Sequence, residues 1–237
     1  MPVEHTNFQY FLGGWSARLL LVVLAAFALG GASAHAQTAH REPSGAFLID
    51  STTGPVHFPA CSEPITWSLD PSGIADSGTD VPAEVDRWQQ AFTELAATTN
   101  YRFTQVAAND EFSPPHITIT YASSAAYSAS TGTPAGSGHV GSAGITAIGW
   151  NGTRWVAERA QVTFNVDQLR RWPAASGMRA WVIRHELAHA LGLDHVAERG
   201  HLMAERYLPR VSPTTFEPTH ITDLAALGRI DCPAAIG

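Results

Sequence analysis

Charge is scarce in this chain: only 15% of its 237 residues are charged, and the balance is -7. A nucleic-acid binder needs a basic face, and this composition does not supply one. There is no acidic low-complexity run, no internal repeat and no legible second domain, so the length fits one domain with tails. Cysteine is nearly absent, with Cys61 and Cys232 the only two. Long hydrophobic runs are missing as well. The one unbroken apolar run, Leu19 to Leu29, falls short of the roughly 20 residues that a membrane span needs. What is plentiful is apolar side chain in general, at 45%, which is enough for a core of its own.

The short apolar run has a different meaning. Arg18 precedes it, and GGASAHAQ follows, with Ala34 and Ala36 flanking His35. This is a signal-peptide layout with cleavage between Ala36 and Gln37. Residues 1–36 are therefore read as a signal peptide, 37–55 as an N-terminal segment or linker, and 56–237 as a single domain. The expected location is secreted: extracellular, or periplasmic if the source is Gram-negative. No stable membrane insertion is expected after processing, and the expected state is a monomer. In an oxidising compartment two cysteines most simply form one bridge, Cys61 to Cys232; two free thiols or a cysteine metal ligand are the rival readings.

The pattern of the mature chain alternates strands and helices. PITWSLD, Pro64 to Asp70, puts Ile65, Trp67 and Leu69 on one face of a strand. Val81 to Asn100 reads as a long helix, capped by Asp80, with Pro82 in its first turn and Val85, Trp88, Phe92 and Leu95 on one face. Tyr101–Val106 and His116–Ala122 read as strands. Ser123–Gly144, rich in small residues, reads as a loop or an irregular strand. Ile145–Trp150 is a strand ending in a turn at Asn151-Gly152, and Ala160–Asp167 is another, burying Val162, Phe164 and Val166. Gly177–Leu191 is the second long helix, and Ile221–Leu227 a short last one. The fold class is α/β (α+β), two long helices on a mixed twisted sheet.

Chemistry concentrates in HELAHALGLDH, His185 to His195. His185 and His189 are four apart, so a helix stacks them on one face, within reach of one metal ion. Glu186 lies beside that ion, placed to act as a general base on water. Gly192 lets the chain leave the helix, and the turn returns His195 as third ligand. Three protein ligands with one position open is the layout of a catalytic zinc site rather than a structural one. Five fixed positions at about 5% each would match by chance only about once in 10⁴ such chains. Three histidines complete a ligand set, which leaves the cysteines for the bridge. His116, His201 and His220 are read as surface or hydrogen-bonding residues.

This stretch resembles the zinc signature of the metzincin metallopeptidases, and within them the matrixin-type branch in bacterial secreted form. The resemblance runs loosely from Pro59 to Ile230 and is specific at the motif. It implies a zincin fold, with the active-site cleft between the motif helix and a short C-terminal helix, and a methionine turn under the metal, for which Met203 in GHLMAERY is the matching residue. It also implies one catalytic Zn²⁺ held by His185, His189 and His195. Several positions depart from the branch. Val196 stands where a serine is common, and no cysteine precedes Cys61 to block the metal. Glu205 stands where some metzincins have a tyrosine. Tyr207 is left as an auxiliary group or as a wall of the specificity pocket. No oxygen-rich repeat marks a calcium loop, and structural calcium is left open.

The expected activity is that of a secreted zinc-dependent endopeptidase acting on peptide or protein substrates. A narrow-target metallopeptidase acting on one envelope or host protein is the alternative. A zinc-containing binding module is disfavoured by the intact Glu186. A peptide would pair along an edge strand drawn from Gly138–Trp150, with the pocket beyond the scissile bond built by Leu191, the Met203 region and the loop 208–219.

Overall fold

The computed structural model describes residues 48–52, 54–59, 63–108, 114–134, 136–173, 176–216, 222 and 225. A small hairpin comes first, β1 (Asp50–Ser51) with β2 (Gly54–Pro55). The main sheet has five strands: β3 (Ile65–Leu69), β4 (Phe103–Gln105), β5 (Ile117–Ala122), β6 (Gly141–Trp150) and β7 (Trp155–Asn165). Their order is β4-β3-β5-β7-β6. β3 pairs parallel with β4 and β5, and β5 parallel with β7, whereas β6 runs antiparallel to β7 and forms one edge. The helices are α1 (Val81–Thr98), α2 (Ser124–Thr131), the four-residue α3 (Val166–Leu169) and α4 (Gly177–Ala190). This is a mixed α/β fold, as the alternating pattern implies. Among the described residues, no helix is long and apolar enough to cross a membrane.

The first helix forms where its caps and face predict. The Asp80 carboxylate accepts from Ala83 N at 3.2 Å, and Trp88, Phe92 and Leu95 are buried. Phe92 stacks on Trp67 of β3 at 4.4 Å between centroids, so α1 is fastened to the sheet by aromatic packing. Beneath it runs a polar chain. Trp88 Nε1 donates to the Tyr121 hydroxyl (3.0 Å), which donates to Glu84 (2.7 Å), and Glu84 faces Arg179 of α4 at 3.7 Å. Both charges of that pair are buried, which makes the pairing obligatory rather than decorative. Nearer the motif, Arg184 grips Glu94 of α1 through two bonds of 2.8 and 2.6 Å. Two ion pairs thus hold α4 against α1.

Three segments differ from their sequence reading. Ser123–Gly144 is not a loop or an irregular strand throughout: it contains α2 and ends by entering β6 at Gly141. The helix escaped notice because SAAYSAST has one large apolar residue and hence no periodic face. It forms because Ser123 caps it, Gly132 stops it at φ 70°, and Tyr127 anchors it in the interior. The strand expected at Ala160–Asp167 starts earlier, at Trp155, and stops at Asn165. The Asn165 side chain accepts from Asp167 N and Gln168 N, turning Val166 and Asp167 into α3. Ile145–Trp150 is the second half of a strand that begins at Gly141. The predicted helix over 221–227 and the Cys61–Cys232 pair lie mostly or wholly outside the described residues; Thr222 and Ala225 are helical.

Candidate active site

α4 is buried almost throughout its length, from Met178 to Ala190, and packs against the edge strand β6. Its 3.6-residue period puts Trp181, His185 and His189 in one row. The Trp181 ring lies 4.5 Å from the His185 ring, bracing it one turn upstream of the motif. After the helix, Gly192 adopts φ 112°, a left-handed backbone that disfavours other residues, and a Cβ there would sit 2.7 Å from the Val56 carbonyl oxygen. Leu48 N donates to the Gly192 carbonyl (3.0 Å), so the N-terminal segment is tied to the same bend. The bend delivers His195.

The three Nε2 atoms form a near-equilateral triangle: His185 to His189 3.1 Å, His189 to His195 3.1 Å, His185 to His195 3.2 Å. His185 Nδ1 lies 2.7 Å from the Leu202 carbonyl, and His189 Nδ1 2.6 Å from the Leu193 carbonyl. A carbonyl only accepts, so both Nδ1 atoms carry the proton, and both Nε2 atoms turn bare lone pairs inward. Bare lone pairs repel one another at such distances unless a cation lies between them. Tetrahedral zinc with nitrogens at about 2.0–2.1 Å places them about 3.3 Å apart, close to what is seen. Among the described residues these three form the one group of side chains able to hold a metal ion. Burial, and then the neighbouring His189, hold His185 well below its ordinary pKa of 6.5; burial, and then His195, hold His189 down to about 4. Both rings are therefore neutral at neutral pH, the form able to bind a metal ion.

Glu186, the residue after His185 in α4, is buried facing Gly141, and burial alone pushes its carboxyl up to about 8. A cation held by the imidazoles opposes that shift, because nearby positive charge favours carboxylate. Met203 is buried in the turn after the third histidine. Its carbonyl accepts from Val196 N (2.9 Å), and its N–H donates to His201 Nδ1 (3.0 Å), so His201 is a hydrogen-bonding residue that pins the turn. Leu202, next to Met203, orients His185 as described. Tyr207 stands one ring away from His185, with Trp181 between them. It packs on Trp181 at 5.6 Å and on Trp172 at 6.4 Å, and its hydroxyl approaches Gly177 at the start of α4. His116 shares hydrogen bonds with Thr66 across the sheet, far from the motif in the chain.

Sequence reading overlooked three contributors and the role of a fourth. Trp181 was legible, since it lies four residues before His185 on the same helical face. The Leu193 and Leu202 carbonyls were not, because every residue has a carbonyl. Gly141 faces Glu186 from β6; it lies in the stretch Gly138–Trp150 read as the edge strand, but its contact with Glu186 was not legible.

The site thus joins three imidazoles, a buried carboxyl and an edge strand. No curated protein matches the chain. The family model for Matrixin, Peptidase_M10, matches residues 61–227, well over half of the 237. The chain belongs to the matrixin family and is a zinc-dependent endopeptidase.

Proposed function

We propose that His185, His189 and His195 hold the catalytic zinc, that Glu186 is the general base, and that the substrate is an extended peptide lying along β6. When bound, zinc supplies Lewis acidity, acidifying water and polarising the carbonyl under attack. Glu186 takes the proton from the attacking water and returns it to the leaving amine. The new C–O bond forms first; the C–N bond then breaks once the nitrogen has received the proton that Glu186 took from water. The hydrogen bonds from His185 and His189 to backbone carbonyls keep their Nε2 atoms unprotonated and aimed. Met203 serves as an apolar floor under the rings and donates no ligand atom. Tyr207 acts as a wall behind Trp181 and not as a ligand. The leader 1–36 exports the protein, the catalytic domain follows from residue 56, and Cys61 pairs with Cys232. The working form is a secreted monomer.

The observation that supports the reading is the triangle of Nε2 atoms 3.1–3.2 Å apart, with the buried Glu186 next to His185 in the same helix. Among the described residues no strand pairs with the outer side of β6, which favours a peptide substrate, because such an edge offers main-chain bonds to an extended chain. Intact Glu186 argues against a module that only binds. The test is digestion of an unfolded protein by the mature chain, residues 37–237, with and without a zinc chelator. Cleavage that the chelator stops and added zinc restores is expected. Folded, zinc-loaded protein that cleaves nothing would overturn the broad endopeptidase reading.

A further inference from the structure

The edge strand meets the site at Gly141. A Cβ built on that residue would lie 2.7 Å from Glu186 Oε1 and 2.8 Å from its Cγ, so only a glycine lets the strand lie this close to the carboxylate. Asn165 N donates to the Val140 carbonyl at 2.9 Å. In an antiparallel ladder, hydrogen-bonded and non-bonded pairs alternate. Gly141, opposite Phe164, therefore turns its own N–H and C=O away from β7, toward the open edge.

That outward carbonyl is taken. The Tyr127 hydroxyl donates to it at 2.7 Å. Tyr127 is buried, and the hydroxyls of Ser130 and Thr131 donate to its backbone carbonyl at 3.1 and 2.8 Å. Burial and the negative charge of Glu186 both disfavour its ionisation, so it stays a donor. The helix that carries it is itself anchored. Ser124 N donates to the Asp167 carboxylate (2.8 Å), and the Ser124 hydroxyl to Asn165 Oδ1 (2.9 Å), fastening α2 to the corner where β7 ends. The chain of support runs from β7 through α2 and Tyr127 to Gly141, and stops against Glu186.

We infer that Tyr127 is a positioning residue for the reaction: by holding the Gly141 carbonyl it fixes the wall that keeps Glu186 in place. It touches neither substrate nor metal, and acts through Gly141. The inference rests on the reading of Glu186 as general base. A base displaced by a fraction of an ångström still lets substrate bind but lowers the rate of proton transfer, so the loss falls on kcat and not on KM.

The test compares Tyr127→Phe, Gly141→Ala, the double variant and Glu186→Gln in the same chain. For each, kcat and KM are measured on one peptide, and zinc per folded chain is measured by atomic absorption. Tyr127→Phe is expected to lose about tenfold in kcat, with KM within about twofold and zinc unchanged. Gly141→Ala, which pushes a methyl group against Glu186, is expected to lose about 100-fold, again with zinc retained. The double variant should be no slower than Gly141→Ala, since both act on one contact. Wild-type kcat in Tyr127→Phe, a change confined to KM, or activity lost in step with zinc would overturn the inference. If Tyr127→Phe does not fold, Gly141→Ala decides alone: lost kcat with zinc retained supports the wall, and unchanged kcat overturns it. Activity remaining in Glu186→Gln would overturn the parent reading. An inactive Glu186→Gln beside normal Tyr127 and Gly141 variants would overturn only this one.

Discussion

The two halves of the active site are built in opposite ways. The metal half, from Trp181 to Met203, is assembled from neighbours in the chain: the ligands lie within ten residues of each other, and the carbonyls that orient them lie 4 and 17 residues away. The edge half, α2 with β6, is assembled from segments far apart, with bonds that span 41 and 43 residues from α2 to Asn165 and Asp167. A local site is written as spacing, since helix period and one bend determine where the side chains go. A distant one is written in which strands adjoin, and its residues have no pattern among themselves.

Damage to the metal half should be the most severe. His189→Ala removes one corner of the triangle, and peptide cleavage at ordinary zinc levels should fall by about 10³-fold or more. If this variant kept activity, the local half would not be the seat of the chemistry. Next comes the frame that both halves share. Glu84→Ala leaves Arg179 buried without its partner, and urea unfolding should show a loss of about 3 kcal/mol. A loss near zero would mean that α1 and α4 hold together without the Glu84–Arg179 pair, through Arg184–Glu94 and apolar packing. In the edge half, Gly132→Ala puts a Cβ at φ 70° where α2 ends, and should cost about 1 kcal/mol. Its amide exchange should quicken in α2 and not in α4; equal quickening in both would show the halves to be one unit. The smallest effect concerns pH. The Ser124 N–H holds the Asp167 carboxyl below its ordinary 3.8, so the fold favours the ionised form. The stabilisation is present above pH 3.8 and is lost as pH falls below it. Exchange at the start of α2 should therefore rise under acid before that of α4, and Asp167→Asn should abolish the difference.

Legibility follows the same division. α1 was readable down to its cap because Asp80, Pro82 and four apolar residues at helical spacing agree with one another. The ligand triad was readable because helix geometry alone brings His185 over His189. α2 was unreadable because serine and alanine are neutral in this respect, and its one informative residue, Tyr127, finds its reason in a carbonyl 14 residues on. β7 was read with both ends misplaced: Asn165 ends the strand by bonding the backbone ahead of it, a choice that its hydrophobic pattern, continuing through Val166, does not reveal.

By itself, then, the amino-acid sequence determined the metal chemistry of this protein: three imidazoles, a neighbouring carboxyl and the bend that joins them all follow from local backbone geometry. Only the tertiary structure decided what stands opposite. That Gly141 lies against Glu186, and that Tyr127 holds it there, depends on β6 pairing antiparallel at the end of the sheet beside α4. Small residues carry no periodicity to announce such a contact; their meaning comes from what approaches them.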